Sequence, residues 1–328
     1  MTAPRRVLVT GARGFIGTHL MDLFERRGIP AVGLDLRGDG DGDGDGGRVV
    51  AADVADLDSY RDVLATCDVV VHTAALVSNA MADADMWRVN VLATRDLVAA
   101  ATRCGVRRFV HISSIVAYGN TATGELDEDY PVHADGGSYV RTKLASEHVV
   151  LAAHARGDVE VVVVRPGDVY GPGCRVWVDV PLQMIKARQF FLPARGRGCF
   201  RPVYVGDLVA GVALAATTPE AGGNIFNLSS DGYVSTRDFF AYHHRWLGRG
   251  GPLCLPTWLA LAIAEPGFRL QLLAGIRSEG SGASVRQLTS RAWFSNAKAA
   301  AVLGWAPVVG LDDGMARTEA WARDSGLI

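Results

Sequence analysis

Cysteine is scarce in this chain of 328 residues: the five that occur, Cys67, Cys104, Cys174, Cys199 and Cys254, form no CxxC pair and do not cluster with histidine. That spacing excludes a disulfide framework and a structural zinc site, and no metal is expected. An excess of either charge is also lacking, with 33 basic against 35 acidic residues and a formal net charge of -2. Nucleic acid or an anionic membrane would call for a basic field, so neither is expected as a partner. No apolar run is long enough to span a bilayer. The longest, Leu253 to Ala264, contains Pro256 and stops at Glu265, short of the roughly 20 residues a spanning helix needs. The opening MTAPRRVLVTGARGFIG passes from two arginines into a strand pattern and a glycine loop without the apolar stretch of a signal peptide, which predicts a cytoplasmic protein.

What the chain does have is valine. From Arg5 to about Arg165, short runs such as RVLVT, AVGLDL, VVVHTA, RFVHISS and VEVVVVRP alternate with longer helical patterns. Strands that are apolar throughout belong to a parallel sheet covered on both faces, so the pattern predicts a doubly wound α/β fold of the Rossmann kind. Residues 1–170 are expected to form a dinucleotide-binding core that carries the reactive residues. Residues 171–328 are expected to form mainly a substrate-binding lobe, with some segments returning to the core. The run Gly38 to Gly47, GDGDGDGDGG, can hold no side-chain core and lacks the closing glutamate of a calcium loop; it reads as a mobile acidic loop.

Thr10 to Gly17, TGARGFIG, lies between strand RVLV and a helix. Gly11 permits a tight turn, Gly14 lets backbone approach a pyrophosphate, and Gly17 allows close helix packing, with the helix N-terminus facing the negative charge. Asp35, 18 residues after Gly17, ends the next strand, where a carboxylate can bind both ribose hydroxyls. It favours NAD. Arg13 and Arg37 could both reach a 2′-phosphate, which keeps NADP open. Further on, Tyr139 and Lys143 stand four apart, on one face of a helix, where the ammonium is expected to draw the phenol's pKa down toward working range. Ser114 ends another strand on the sheet edge that carries the glycine loop, placed to hold a substrate oxygen while Tyr139 moves its proton. Ser113 competes for that role, and a turn-capping serine is the alternative for both.

TGARGFIG, Asp53 in AADVAD, HTAA, Asn90 in RVNVLAT, HISSIVAYG, YVRTK, RPGDVYGPG and RPVYVGDLV, in this order, resemble the extended short-chain dehydrogenase/reductase superfamily, the NAD-dependent epimerase/dehydratase family. The likeness runs from about residue 5 to 215. It implies a catalytic set of Ser114, Tyr139 and Lys143. Gly11, Arg13, Gly14, Phe15, Ile16, Gly17, Asp35 and Arg37 would contact the cofactor. Asp53, Val54, Ala74 and Ala75 would add contacts, as would Tyr139 and Lys143 themselves, with Pro166 and Gly167 beside the nicotinamide. Asn90 would either support active-site water or satisfy backbone groups.

Three chemistries share this machinery. The dehydratases and decarboxylases of the superfamily place acids just after the catalytic serine or threonine; here those positions are Ile115 and Val116, which transfer no proton. The epimerases need cations for a nucleoside diphosphate, and Arg201 matches the arginine they use. Against that, Val176, Trp177, Phe191 and, in the later apolar segment, Trp258 suggest an apolar pocket suited to a ring or acyl chain, with ordinary core or a dimer face as the alternative. The expected function is therefore a dehydrogenase or ketoreductase resembling the 3-beta-hydroxysteroid type, acting on a small lipophilic or cyclic substrate, as a homodimer. The alternatives are a nucleotide-sugar 4-epimerase and a non-catalytic dinucleotide-binding subunit or sensor.

Overall fold

A computed structural model describes residues 4–39, 48–77, 81–119, 121–273 and 282–328. Its strands are β1 (Val7–Thr10), β2 (Ala31–Asp35), β3 (Val49–Ala51), β4 (Val69–His72), β5 (Arg108–Ile112), β6 (Thr123–Leu126), β7 (Glu160–Pro166), β8 (Asp168–Tyr170), β9 (Phe191–Leu192), β10 (Cys199–Phe200), β11 (Pro202–Tyr204), β12 (Ile225–Leu228), β13 (Val234–Ser235), β14 (Leu253–Cys254) and β15 (Arg291–Phe294). Seven of them form one sheet in the order β12-β7-β5-β4-β1-β2-β3, parallel throughout. This is the Rossmann-like doubly wound fold that the valine runs predict.

Period-two alternation explains why those runs are apolar at every position. Val7 and Val9 of β1 with Val69 and Val71 of β4 face Leu20, Met21 and Phe24 of the helix Phe15–Arg26 and Leu208 and Val212 of the helix Val205–Thr217. Leu8, Val70, Phe109 and Val161 face the other way, onto Leu97, Val98 and Ala101 of the helix Thr94–Arg103 and Val150 and Ala153 of the helix Ser138–Ala155. The order reverses between β1 and β4, so the C-terminal ends of β1, β4, β5 and β7 open onto one crevice, where such sheets bind their ligands.

The later chain contributes β12 to the edge of this sheet and the helix Val205–Thr217 to one of its faces. The rest surrounds a cluster of aromatic side chains: Phe200 stacks on Phe239 at 3.9 Å, and Trp177 and Phe190 pack edge-on or tilted against Phe200 and Phe240, each at 5.0 Å. Val178 and Leu192 are fully buried there. Phe191 packs with Ala260 and Ala264 of the helix Thr257–Leu273. The apolar run after Gly173 thus builds core in the main, not an open pocket wall; Val176 is exposed, and Trp258 is 70% exposed. Of the Gly38–Gly47 run, only Gly38 and Asp39 fall within the described residues.

Candidate active site

The glycine loop has the geometry its sequence predicts. Gly11 adopts φ +69, where a Cβ would lie 2.9 Å from the Ala74 backbone, and a Cβ on Gly17 would lie 2.0 Å from the Gly11 carbonyl oxygen. Both positions require glycine. Gly14 caps the helix Phe15–Arg26 without a side-chain hydrogen bond, and that helix has no acidic residue in its first turn. Its leading N–H groups are therefore free of any side-chain cap and face an electropositive helix end, which suits a pyrophosphate. Asp35 is fixed by two backbone donors, Arg13 N–H to Oδ2 at 3.0 Å and Leu36 N–H to Oδ1 at 2.8 Å, and a carboxylate keeps further lone pairs for ribose hydroxyls. The residues present fit a dinucleotide.

Arg13 departs from expectation. Its guanidinium donates to the Gly38 carbonyl at 2.8 Å and to Asp39 Oδ1 at 2.6 Å, so it is tied to the acidic loop. Arg37 is exposed. Asp53 caps its own turn through the Ala55 N–H at 2.9 Å and pairs loosely with Arg88 at 3.4 Å, while Val54 is buried. The Ala74 N–H donates to Thr10 Oγ1, holding the start of the loop after β4 beside the glycine turn.

Asn90 is bonded to the loop that follows β4. It lies in a π-helical turn, Arg88–Ala93, and is 2% exposed. Its Oδ1 accepts from the Leu76 N–H at 2.7 Å and its Nδ2 donates to the Leu76 carbonyl and to Thr142 Oγ1. The amide is fully occupied in fastening the Ala74–Leu76 loop to the helix Ser138–Ala155, the second of its two expected roles.

The two neighbouring serines separate cleanly. Ser113 is buried and donates to Glu147 Oε1, whereas Ser114, partly exposed, lies beside the Tyr139 phenol. Ser114 also caps the short turn Ile115–Tyr118 by accepting from the Val116 N–H at 3.3 Å. Ile115 and Val116 themselves point into the core. Tyr139 and Lys143 do share a helix face, but the ammonium donates to the Ile112 carbonyl at the end of β5, at 2.8 Å. Burial pushes the Tyr139 phenol up to about 12, with the Ser114 hydrogen bond acting in the opposite direction. The expected lowering of the phenol by Lys143 is thus not what this geometry gives. Burial lowers Lys143 to about 8, against the pull of Glu147 one turn further along. Two buried histidines, His72 and His111, stack at 5.6 Å, and burial first, then the Lys143 charge, keeps both well below the usual imidazole range.

Sequence reading missed Glu147. It is 1% exposed and takes both arms of Arg165, Nε at 3.0 Å and a terminal nitrogen at 2.7 Å, besides Ser113. At i+4 beyond Lys143 it continues the face that carries Tyr139, and that spacing was the available signal. Arg201, expected to face substrate phosphate, is 4% exposed and pairs at 3.1 Å with the equally buried Asp168, its backbone N–H also donating to that carboxylate. Pro166 is buried in β7, and Gly167 is wedged where a Cβ would lie 2.6 Å from the Arg201 carbonyl oxygen and Ser229 Oγ.

Residues 7–229 match the family model described as NAD dependent epimerase/dehydratase family. The chain is 29% identical, over 71% of its own length and 71% of the relative's, to the 4-hydroxy-2-methyl-3-oxo-4-farnesyl-3,4-dihydroquinoline-1-oxide ketoreductase of Stigmatella aurantiaca. It is 30% identical to the UDP-glucose 4-epimerase of Mycolicibacterium smegmatis over 97% of this chain and 99% of that protein. The solved structure of MoeE5 in complex with UDP-glucose and NAD matches it with a TM-score of 0.78 and 29% identity, covering 98% of this chain and 99% of that one.

Proposed function

Because the chain belongs to the NAD-dependent epimerase/dehydratase family, we propose that it is an NAD-dependent ketoreductase or dehydrogenase acting on the carbonyl or carbinol of a lipophilic, cyclic substrate. The observation that carries this reading is the buried Arg201–Asp168 pair. Turning Arg201 toward a substrate diphosphate would take the guanidinium from the buried Asp168 carboxylate and leave it the Arg201 backbone N–H, at a cost of several kcal/mol. The Stigmatella relative, a ketoreductase for a farnesylated quinoline, supports the same substrate class. Ile115 and Val116, buried beside Ser114, argue against dehydration.

In this reading the glycine loop, Asp35 and Lys143 hold the dinucleotide, which supplies or accepts the hydride. Ser114 Oγ and the Tyr139 phenol meet the substrate oxygen. Tyr139 is protonated throughout the neutral range, so it serves as the acid that gives its proton to the carbonyl oxygen during reduction. Lys143, a cation below about pH 8, donates to the cofactor's ribose and brings positive charge to the phenol as the proton leaves.

A second reading, nucleotide-sugar 4-epimerase, is favoured by the near-complete coverage of the Mycolicibacterium enzyme and of MoeE5. One assay separates the two. A panel of cyclic ketones with NADH should give a net loss of reduced-nicotinamide absorbance, and UDP-glucose none. Conversion of UDP-glucose to its C4 epimer without net absorbance change would sink the ketoreductase reading.

A further inference from the structure

Beside the ribose-binding carboxylate stands an acidic residue that nothing so far has given a task. We propose that Asp39, the first aspartate of the Gly-Asp run, is a second determinant of cofactor choice: it holds Arg13 away from the position in which a 2′-phosphate would meet it. The proposal rests on the NAD reading and extends it to a residue outside the glycine loop.

Arg13 begins next to the ribose site, because its own backbone N–H donates to Asp35. From there its side chain is the nearest cation that the glycine loop can offer a 2′-phosphate. Instead it runs across to the segment after β2, where Gly38 O and Asp39 Oδ1 both accept from one terminal nitrogen. An ordinary surface ion pair would be a weak restraint, since two long side chains must be ordered to form it. Asp39 differs in being ordered beforehand. Its other carboxylate oxygen accepts from the Val49 N–H at 2.7 Å, and its own N–H donates to the Val49 carbonyl at 3.2 Å. Only the arginine remains to be ordered. Binding a 2′-phosphate through Arg13 would break both of its contacts and leave the Asp39 charge facing the incoming anion. Asp35 disfavours that phosphate directly, and Asp39 removes Arg13, one of the two cations, with Arg37, that could compensate.

The test is a fluorescence titration of the purified chain with NADH and NADPH, which needs no substrate. In Asp39→Asn, NADPH affinity should rise roughly three- to tenfold, the scale of releasing one pre-ordered charge pair, while NADH affinity stays within about twofold. The same substitution in an Arg13→Ala background, where only the direct repulsion by Asp39 is relieved, should give a clearly smaller gain, within about twofold. No gain in Asp39→Asn would overturn the proposal. An equal gain in both backgrounds would overturn it too, by showing that Asp39 acts through its own charge and not through Arg13. Wild type that binds neither dinucleotide would instead overturn the NAD reading beneath it.

Discussion

Tyr139 is held as a neutral phenol in a mostly desolvated position, with one hydroxyl neighbour and an ammonium turned to the Ile112 carbonyl. Replacing it with phenylalanine removes only a proton transfer, so Tyr139→Phe should lower turnover by roughly two to four orders of magnitude. NADH affinity, measured by titration, should be preserved; near-normal turnover would show that another group moves the proton. Lys143 gives a pH signature. Its ammonium is charged below about pH 8 and neutral above it, and only the charged form attracts the dinucleotide. NADH affinity should therefore weaken as pH rises through about 8, and a flat profile from pH 6.5 to 9.5 would contradict the assignment. At this scale the sequence revealed which residues come together better than what state they are in. The spacing of Tyr139 and Lys143 was legible, but the shift of the phenol depends on burial, which spacing does not encode. Likewise, two adjacent serines look interchangeable in sequence, and only alternation along the chain sends Ser113 to Glu147 and Ser114 to Tyr139.

Among the elements, the helix Ser138–Ala155 owes its position to Glu147, whose carboxylate joins it to Ser113 just past β5 and to Arg165 in β7. Glu147→Ala would strand a buried guanidinium. It should destabilise the fold by about 3–5 kcal/mol, read as a lowered denaturation midpoint, whereas Glu147→Ala combined with Arg165→Met should recover much of the loss. If the double variant were no more stable than the single, the pair would not be the main tie. The elements of the sheet were legible because the apolar runs are continuous, and β1 and β7 are punctuated by glycine or proline. The lobe was less so: most of its strands are two or three residues long, and Val178 and Leu192 are apolar for the same reason whether they line a pocket or fill a core. Arg201 and Asp168 stand 33 positions apart, and no local pattern announces their pairing.

For the whole molecule, β12 and the helix Val205–Thr217 thread the later chain back into the first sheet, so the two halves share one core. A single cooperative unfolding transition is expected, and two resolved transitions in calorimetry would contradict this. Buried histidines add an acid limit. Burial lowers His72 to about 3 and His243 to about 4, and His111 falls well below its usual value. These residues are neutral when folded but take up protons near pH 6.5 when unfolded, so stability is retained above that pH and lost as pH falls below it. The melting temperature should drop between pH 6.5 and 4, and replacing His72 with glutamine should flatten the decline.

The mutual pairing of Asp39 and Val49 closes the Gly-Asp run at its base. That pairing fixes the two ends of the run independently of its length, and doubling the length of such a loop costs only about 0.6 kcal/mol in closure entropy. Gain or loss of an Asp-Gly unit between residues 40 and 47 should therefore shift stability by less than about 1 kcal/mol, so that a variant shortened by one unit keeps both its denaturation midpoint and its preference between NADH and NADPH.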